Sequence, residues 1–200
     1  VVHMKGSLMG KMPGDAPLQA ASVRAFYSYM LMHPGKKLMF MGAELGQINE
    51  WHFEGQLDWF LLEQPLHAQL HDFFRAANCF YSATRELWEV DFDWEGFEWI
   101  VPDDHTNNTV VFLRKDKKGR SVVCVVNFSP VELHDYRFGV PQKKEYCEIF
   151  NSDAPELGGT GAGNPLPVKT EWIPSHGHPC SIAVTIPPLS GMVLRGEGYL

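Results

Sequence analysis

Long apolar runs are missing from this chain. The longest, SVVCVVNF at residues 121–128, falls far short of the roughly 18 to 20 residues a membrane-spanning helix needs, so no membrane partner is expected. Positive charge is also in short supply: 17 Lys and Arg stand against 24 Asp and Glu, for a formal net charge of −7. A nucleic-acid surface needs clustered cations, and the only cluster here, Lys115, Lys117 and Lys118, brackets Gly119 and reads as a solvated turn. The four cysteines (Cys79, Cys124, Cys147, Cys180) lie far apart with no C-x-x-C spacing. That excludes a zinc ribbon or a redox motif and fits reduced thiols in a cytoplasmic protein. His176 and His178 of HGHP stand at alternate positions without a nearby Cys or carboxylate constellation, so they read as ordinary loop histidines. The glycines of GGTGAGN do not stand between a strand and a helix, and no G-x-S-x-G occurs. No metal and no cofactor is expected.

What is present divides into two halves. With 200 residues, 44% of them hydrophobic, the chain can bury a sizeable core. From Leu18 to about His33, Val23, Phe26, Tyr27 and Met30 recur at helical spacing behind the start signals Asp15 and Pro17. KLMFMG (37–42) then reads as a short buried strand of a parallel sheet, and Leu66, Leu70, Phe73, Phe74, Ala77 and Tyr81 form a second helical stripe behind Pro65. After about Glu89 the pattern becomes FEWIV, TVVFLR, SVVCVVNF, YRFGV, YCEIF, SIAVTI and GMVLR, seven short strands, with DKKGR as a hairpin turn. The expected fold class is therefore α/β followed by all-β, with a boundary near residues 88 to 95: helix, buried strand, loop and helix in the order of an α/β barrel, then an antiparallel β-sandwich.

The loop GAELGQINEWHFEGQLDWFLLEQP carries Glu44, Gln47, Asn49, Glu50, Trp51, His52, Glu54, Asp58 and Trp59. Long loops after barrel strands build active sites, and carboxylates beside flat rings suit carbohydrate chemistry. On composition alone, the same tryptophans serve equally well to pack the loop while the acids face water. His3 and Lys5 of HMKG could position an anion or a sugar hydroxyl, or simply stand exposed. No complete catalytic set can be assembled from these residues.

Taken in order, VVHMKGSLMGKMPGD, HPGKKLMFMGAELGQINEW, LDWFLLEQPLH, VVCVVNFSPV, NSDAPELGGTGAGN and IPPLSGMVLR resemble the C-terminal part of bacterial-type 1,4-α-glucan branching enzymes (glycogen branching enzymes) of the α-amylase superfamily. The resemblance runs nearly end to end. It implies that residues 1–90 are the C-terminal part of a catalytic (β/α)8 TIM barrel, with its eighth strand near Leu38 to Met41, and that residues 91–200 are the C-terminal β-sandwich domain. The nucleophilic Asp, the acid/base Glu and a third carboxylate in a His-Asp-Glu segment would all precede Val1. The start on Val1, with no Met before Met4, then reads as a cut edge.

The activity implied for the parent is retaining transglycosylation: an α-1,4 bond is cut through a covalent glucosyl enzyme and the segment passes to a 6-hydroxyl, making an α-1,6 branch. The partners would be an α-glucan and the remainder of the parent chain. Glu44, Trp51, Asp58 and Trp59 would shape the rim of the glucan cleft, bordered by His3 and Lys5. Met4 departs from the glycine common between that His and Lys. Alone, the fragment is expected to be inactive, with Phe26, Met30, Phe73 and Phe74 exposed unless another surface covers them.

The alternative is a non-catalytic glucan-binding or interaction module in which Trp88, Trp94, Trp99 and Trp172 form a sugar platform, although the mid-strand position of Trp99 favours the core. A hydrolase of the same superfamily is a third reading, opposed only by the NSDA and LDW motifs.

Overall fold

The structure is a computed structural model that describes residues 5–198. Helix α1 spans Ala16–Met32; Asp15 caps it by accepting from the Leu18 amide at 3.1 Å, and Pro17 lies in its first turn, where a missing N–H costs nothing. Helix α2 spans Pro65–Ala83 and also begins on proline. Val23 and Tyr27 of α1 pack against Leu70, Phe73, Phe74 and Ala77 of α2 in one cluster that also takes in Met9 and Leu157. Phe73 and Phe74 are therefore buried, contrary to the expectation that an incomplete barrel would expose them, while Phe26 is exposed and Met30 half-buried.

Residues 38–41 form no strand, which corrects the reading of KLMFMG: the chain there joins no ladder and runs into a turn at Met41, and Leu38, Met39 and Met41 are exposed. A strand exists only through its neighbours, and among the described residues no segment pairs with this one. The expected barrel is thus represented by two helices and a connecting loop with short 3₁₀ turns at Ala43–Leu45 and Trp59–Glu63; the barrel itself is not in these 200 residues.

Eight strands follow: β1 Phe97–Asp104, β2 Thr109–Lys115, β3 Ser121–Asn127, β4 Leu133–Val140, β5 Glu145–Asn151, β6 Val168–Lys169, β7 Cys180–Ile186 and β8 Ser190–Glu197. All seven segments read as strands in the sequence form strands, and the added β6 has only two residues. One antiparallel sheet has the order β1-β2-β3-β8-β5-β6, and β4 pairs with β7 in a second. DKKGR closes the β2–β3 hairpin with Gly119 at φ 74°, the left-handed region a side chain disfavours.

Val111, Leu113, Val123 and Val125 face Phe138, Val140, Ile182 and Ile186 across the sandwich. The opposite face of the large sheet, with Phe112, Val122, Cys124, Val126 and Val193, packs against Met32 of α1 and Leu87. The molecule therefore has three layers: helices, six strands, two strands. Burial of the thiol pushes the Cys124 pKa up to about 12, so it sits here as a small apolar group.

Arg114 of β2 fastens two layers together. Fully buried, it donates to the Met32 carbonyl at the end of α1 (2.6 Å), to the Gly96 carbonyl (3.3 Å) and to the Asp91 carboxylate (2.8 Å). At the middle of α1, buried Arg24 faces Asp153 at 3.9 Å, and Asp153 in turn accepts from the Thr160 amide and hydroxyl of the glycine-rich loop.

Candidate functional site

The loop between the helices is fixed from below by His67 of α2, whose buried Nδ1 lies 2.8 Å from the Leu45 carbonyl oxygen. Gly46, at φ 60°, passes so close to α2 that a Cβ there would meet Leu70 Cδ2 at 2.7 Å and Met9 Sδ at 2.8 Å. Buried Gln47 holds the loop from inside: its Oε1 accepts from the Asp58 amide (3.4 Å) and its Nε2 donates to the Asn49 carbonyl (3.5 Å). Asn49 Nδ2 donates to the Asp58 carboxylate at 3.3 Å, which joins the two ends of the loop.

A cavity of 290 Å³ opens between this loop, the Gly6–Met9 segment and α1, with Phe26, Tyr27, Phe40, Gln47, Asn49 and Trp51 among the residues on its wall. Trp51 meets Phe40 edge to face at 5.5 Å and lies 6.1 Å from Phe53. The Glu50 carboxylate accepts from the Gly6 amide through Oε2 (3.4 Å), while its Oε1 is buried with no hydrogen-bond partner. The Tyr27 phenol is pushed up to about 12, first by burial and then by the nearby Glu44 charge, so it stays protonated at neutral pH. The result is a largely apolar, aromatic-walled cavity with the Gln47 and Asn49 amides in its wall, suited to stacking and hydrogen bonding with a neutral, hydroxyl-rich ligand.

Of the residues singled out in the sequence, Trp51 lines this cavity and Glu44 lies beside its Tyr27. Asp58 joins through Gln47 and Asn49, with Trp59 next to it and half exposed. Lys5 is exposed beside Gly6, and His3 lies outside the described residues. The sequence reading missed Tyr27, Phe26 and Phe40 as cavity residues: helical spacing marked the first two as core, and the third belonged to the supposed strand. Gln47 was noted only as one polar residue of the loop, because its bracing role depends on contacts eleven residues away.

Trp94 and Trp172 are strongly exposed, Trp88 and Trp99 partly so. Trp99 is 42% exposed rather than buried as its mid-strand position suggested, because it stands on edge strand β1, leaning on Phe97, Phe112 and His33. Among the described residues no group of three or more His, Cys, Asp or Glu is arranged to hold a metal ion, and no helix is long and apolar enough to cross a membrane.

The second half of the chain is thus an antiparallel sandwich with a helical cover. Residues 99–197 match the family described as "Alpha amylase, C-terminal all-beta domain". Over nearly its whole length the chain is similar to 1,4-alpha-glucan branching enzymes GlgB. It is 47% identical over 197 residues to that of Aromatoleum aromaticum (98% of this chain, 31% of the relative) and 48% identical over 199 residues to that of Aquifex aeolicus (99% and 32%). The chain thus spans about a third of the length of the relatives it matches.

Two solved structures share the fold. The catalytic module of the multi-modular glycogen-degrading pneumococcal virulence factor SpuA has a TM-score of 0.64 at 12% identity, covering 98% of this chain and 35% of that one. The Group B Streptococcus pullulanase SAP has a TM-score of 0.58 at 12% identity, covering 90% and 28%.

Proposed function

We propose that this chain works as part of a 1,4-α-glucan branching enzyme in glycogen biosynthesis. In the complete enzyme an α-1,4 bond is cut and the segment transferred to a 6-hydroxyl, with the catalytic carboxylates supplied from outside these 200 residues. The observation that carries the reading is the 47–48% identity to branching enzymes over 98–99% of this chain, spanning both halves. In this reading residues 1–90 complete the barrel, residues 91–200 are the β-sandwich domain, and the protein acts in the cytoplasm. Lys5, Glu44, Trp51, Asp58 and Trp59, with His3, border the glucan cleft, and the aromatic cavity beside Trp51 supports that placement.

The test is to express the complete reading frame containing this chain and incubate it with amylose. New chains released by an α-1,6-specific debranching enzyme are the expected result; reducing ends without branches would identify a hydrolase and overturn the proposal. Trp51→Ala in that protein is expected to raise KM for amylose about tenfold, consistent with the roughly 1 to 3 kcal/mol lost when a large aromatic contact is truncated.

A further inference from the structure

Positive charge in this acidic chain gathers beyond its lysine-rich turn. A cavity of 610 Å³ lies where the end of α2 meets the large sheet, lined by Arg85 after α2, Lys118 and Arg120 of the β2–β3 turn, Lys143 before β5 and Arg195 of β8. Among the described residues Glu86 is the single carboxylate in the lining. Cations that serve only solubility spread outward into water; here five converge from four separate segments.

The charges are also layered. Asp116, its side chain fully buried, holds Arg120 Nε at 2.6 Å, and the Arg120 side chain is itself 57% exposed. Buried Glu86 holds Arg195 Nη2 at 3.3 Å, with the Arg195 side chain 39% exposed. Each carboxylate fixes a guanidinium that also lines the cavity, and both guanidiniums remain partly exposed. A third acid within reach of Arg120, Glu89, is engaged by the Lys117 amide at 3.1 Å. Arg85 and Lys118 make no side-chain hydrogen bond or ion pair among the described residues, so their charge is unspent. Distant acids that give the chain its net −7 are screened within about 8 Å at physiological salt, whereas groups in the cavity act at contact range.

We infer that this cavity binds a phosphate monoester. Held guanidinium forks match phosphate oxygens in geometry as well as charge, and the flexible ammonium groups add point charges. A neutral glucan has no use for the uncompensated Arg85 and Lys118 charges beside two held guanidiniums, so the site serves an anion independently of the branching reading. The phosphate is borne either by a small sugar or by a longer saccharide; the recognition chemistry is the same.

The test is isothermal titration calorimetry of the protein at low ionic strength, with inorganic phosphate, glucose 6-phosphate, glucose and sulfate as probes. Saturable one-site binding of glucose 6-phosphate, with no heat from glucose, is expected. The double variant Arg85→Ala/Lys118→Ala, whose side chains support no folded contact, is expected to weaken binding at least tenfold. Lys117→Ala, on the same turn but outside the lining, serves as the control and is expected to bind like the parent protein. Competition with a phosphorylated maltooligosaccharide assigns the source: the polymer if it displaces glucose 6-phosphate at lower concentration, a free sugar phosphate if it does not. Absence of phosphate binding, an unchanged affinity in the double variant, or equal displacement by sulfate and chloride would overturn the assignment.

Discussion

At the scale of single residues, the polar groups of this protein act where they are paired. Asp104, at the end of β1, accepts from the Tyr136 hydroxyl at 2.6 Å and from the Asn107 side chain and amide at 2.7 and 3.1 Å. Burial works to raise its pKa, but the hydrogen bonds from Asn107 and Tyr136 together outweigh it and hold the carboxyl below its ordinary 3.8. A depressed carboxylate contributes stability that is fully present above the unfolded value and is lost as pH falls through the lowered folded value. Tyr136→Phe is therefore expected to raise the Asp104 pKa and to cost about 1 kcal/mol at pH 7, the usual worth of a hydrogen bond to a charged acceptor at partial exposure. Urea unfolding at pH 7 and again near pH 2 checks this; an equal loss at both pH values would mean the carboxylate is not the partner that matters.

At the scale of elements, α1 and β8 meet closely. A Cβ on Gly191 would meet Ser28 Oγ at 2.8 Å, with the serine Cβ closer still, so the glycine is required by close approach rather than by backbone angle. Gly191→Ala is expected to cost about 1 to 3 kcal/mol by overpacking, and Ser28→Gly on the same chain to recover part of that loss, as read from thermal unfolding of the single and double variants.

The strands and helices were legible because period-2 and period-3.6 patterns are local. SVVCVVNF reads as apolar throughout because β3 is covered on both faces, Val123 and Val125 by the second sheet, Val122, Cys124 and Val126 by the helices. Seven strand segments were readable, but neither the β3–β8 pairing nor the helical cover was, since these depend on contacts distant in sequence. KLMFMG failed for the complementary reason: its residues suit a strand, but pairing is a property of two segments. The anion cavity escaped notice because its cations come from four segments, only one of which is conspicuous in the sequence.

At the scale of the whole molecule, the composition change near residues 88 to 95 does not mark a gap between independent bodies. Met32 and Leu87 belong to the same cluster as Phe112 and Val193, and Arg114 reaches from the large sheet to the last turn of α1. A protein consisting of residues 97–198 alone is expected to expose that apolar face and to bind a hydrophobic dye or self-associate, while residues 5–198 unfold in a single transition. Dye fluorescence and sedimentation of the two proteins check this; a monomeric, dye-silent 97–198 would mean the helices are dispensable to the sheet.

Arg114 gives that joint a genetic dimension. Its three partners, Met32, Asp91 and Gly96, all precede the first strand; the two carbonyls are main chain and survive any exchange, but a crossover at codon 97 pairs the buried cation with whatever side chain the other parent has at position 91. Two lineages could trade this module and keep a working protein only where both have a carboxylate at that position. The two halves should therefore share one history of descent, inherited as a single unit even though their amino-acid patterns look like two.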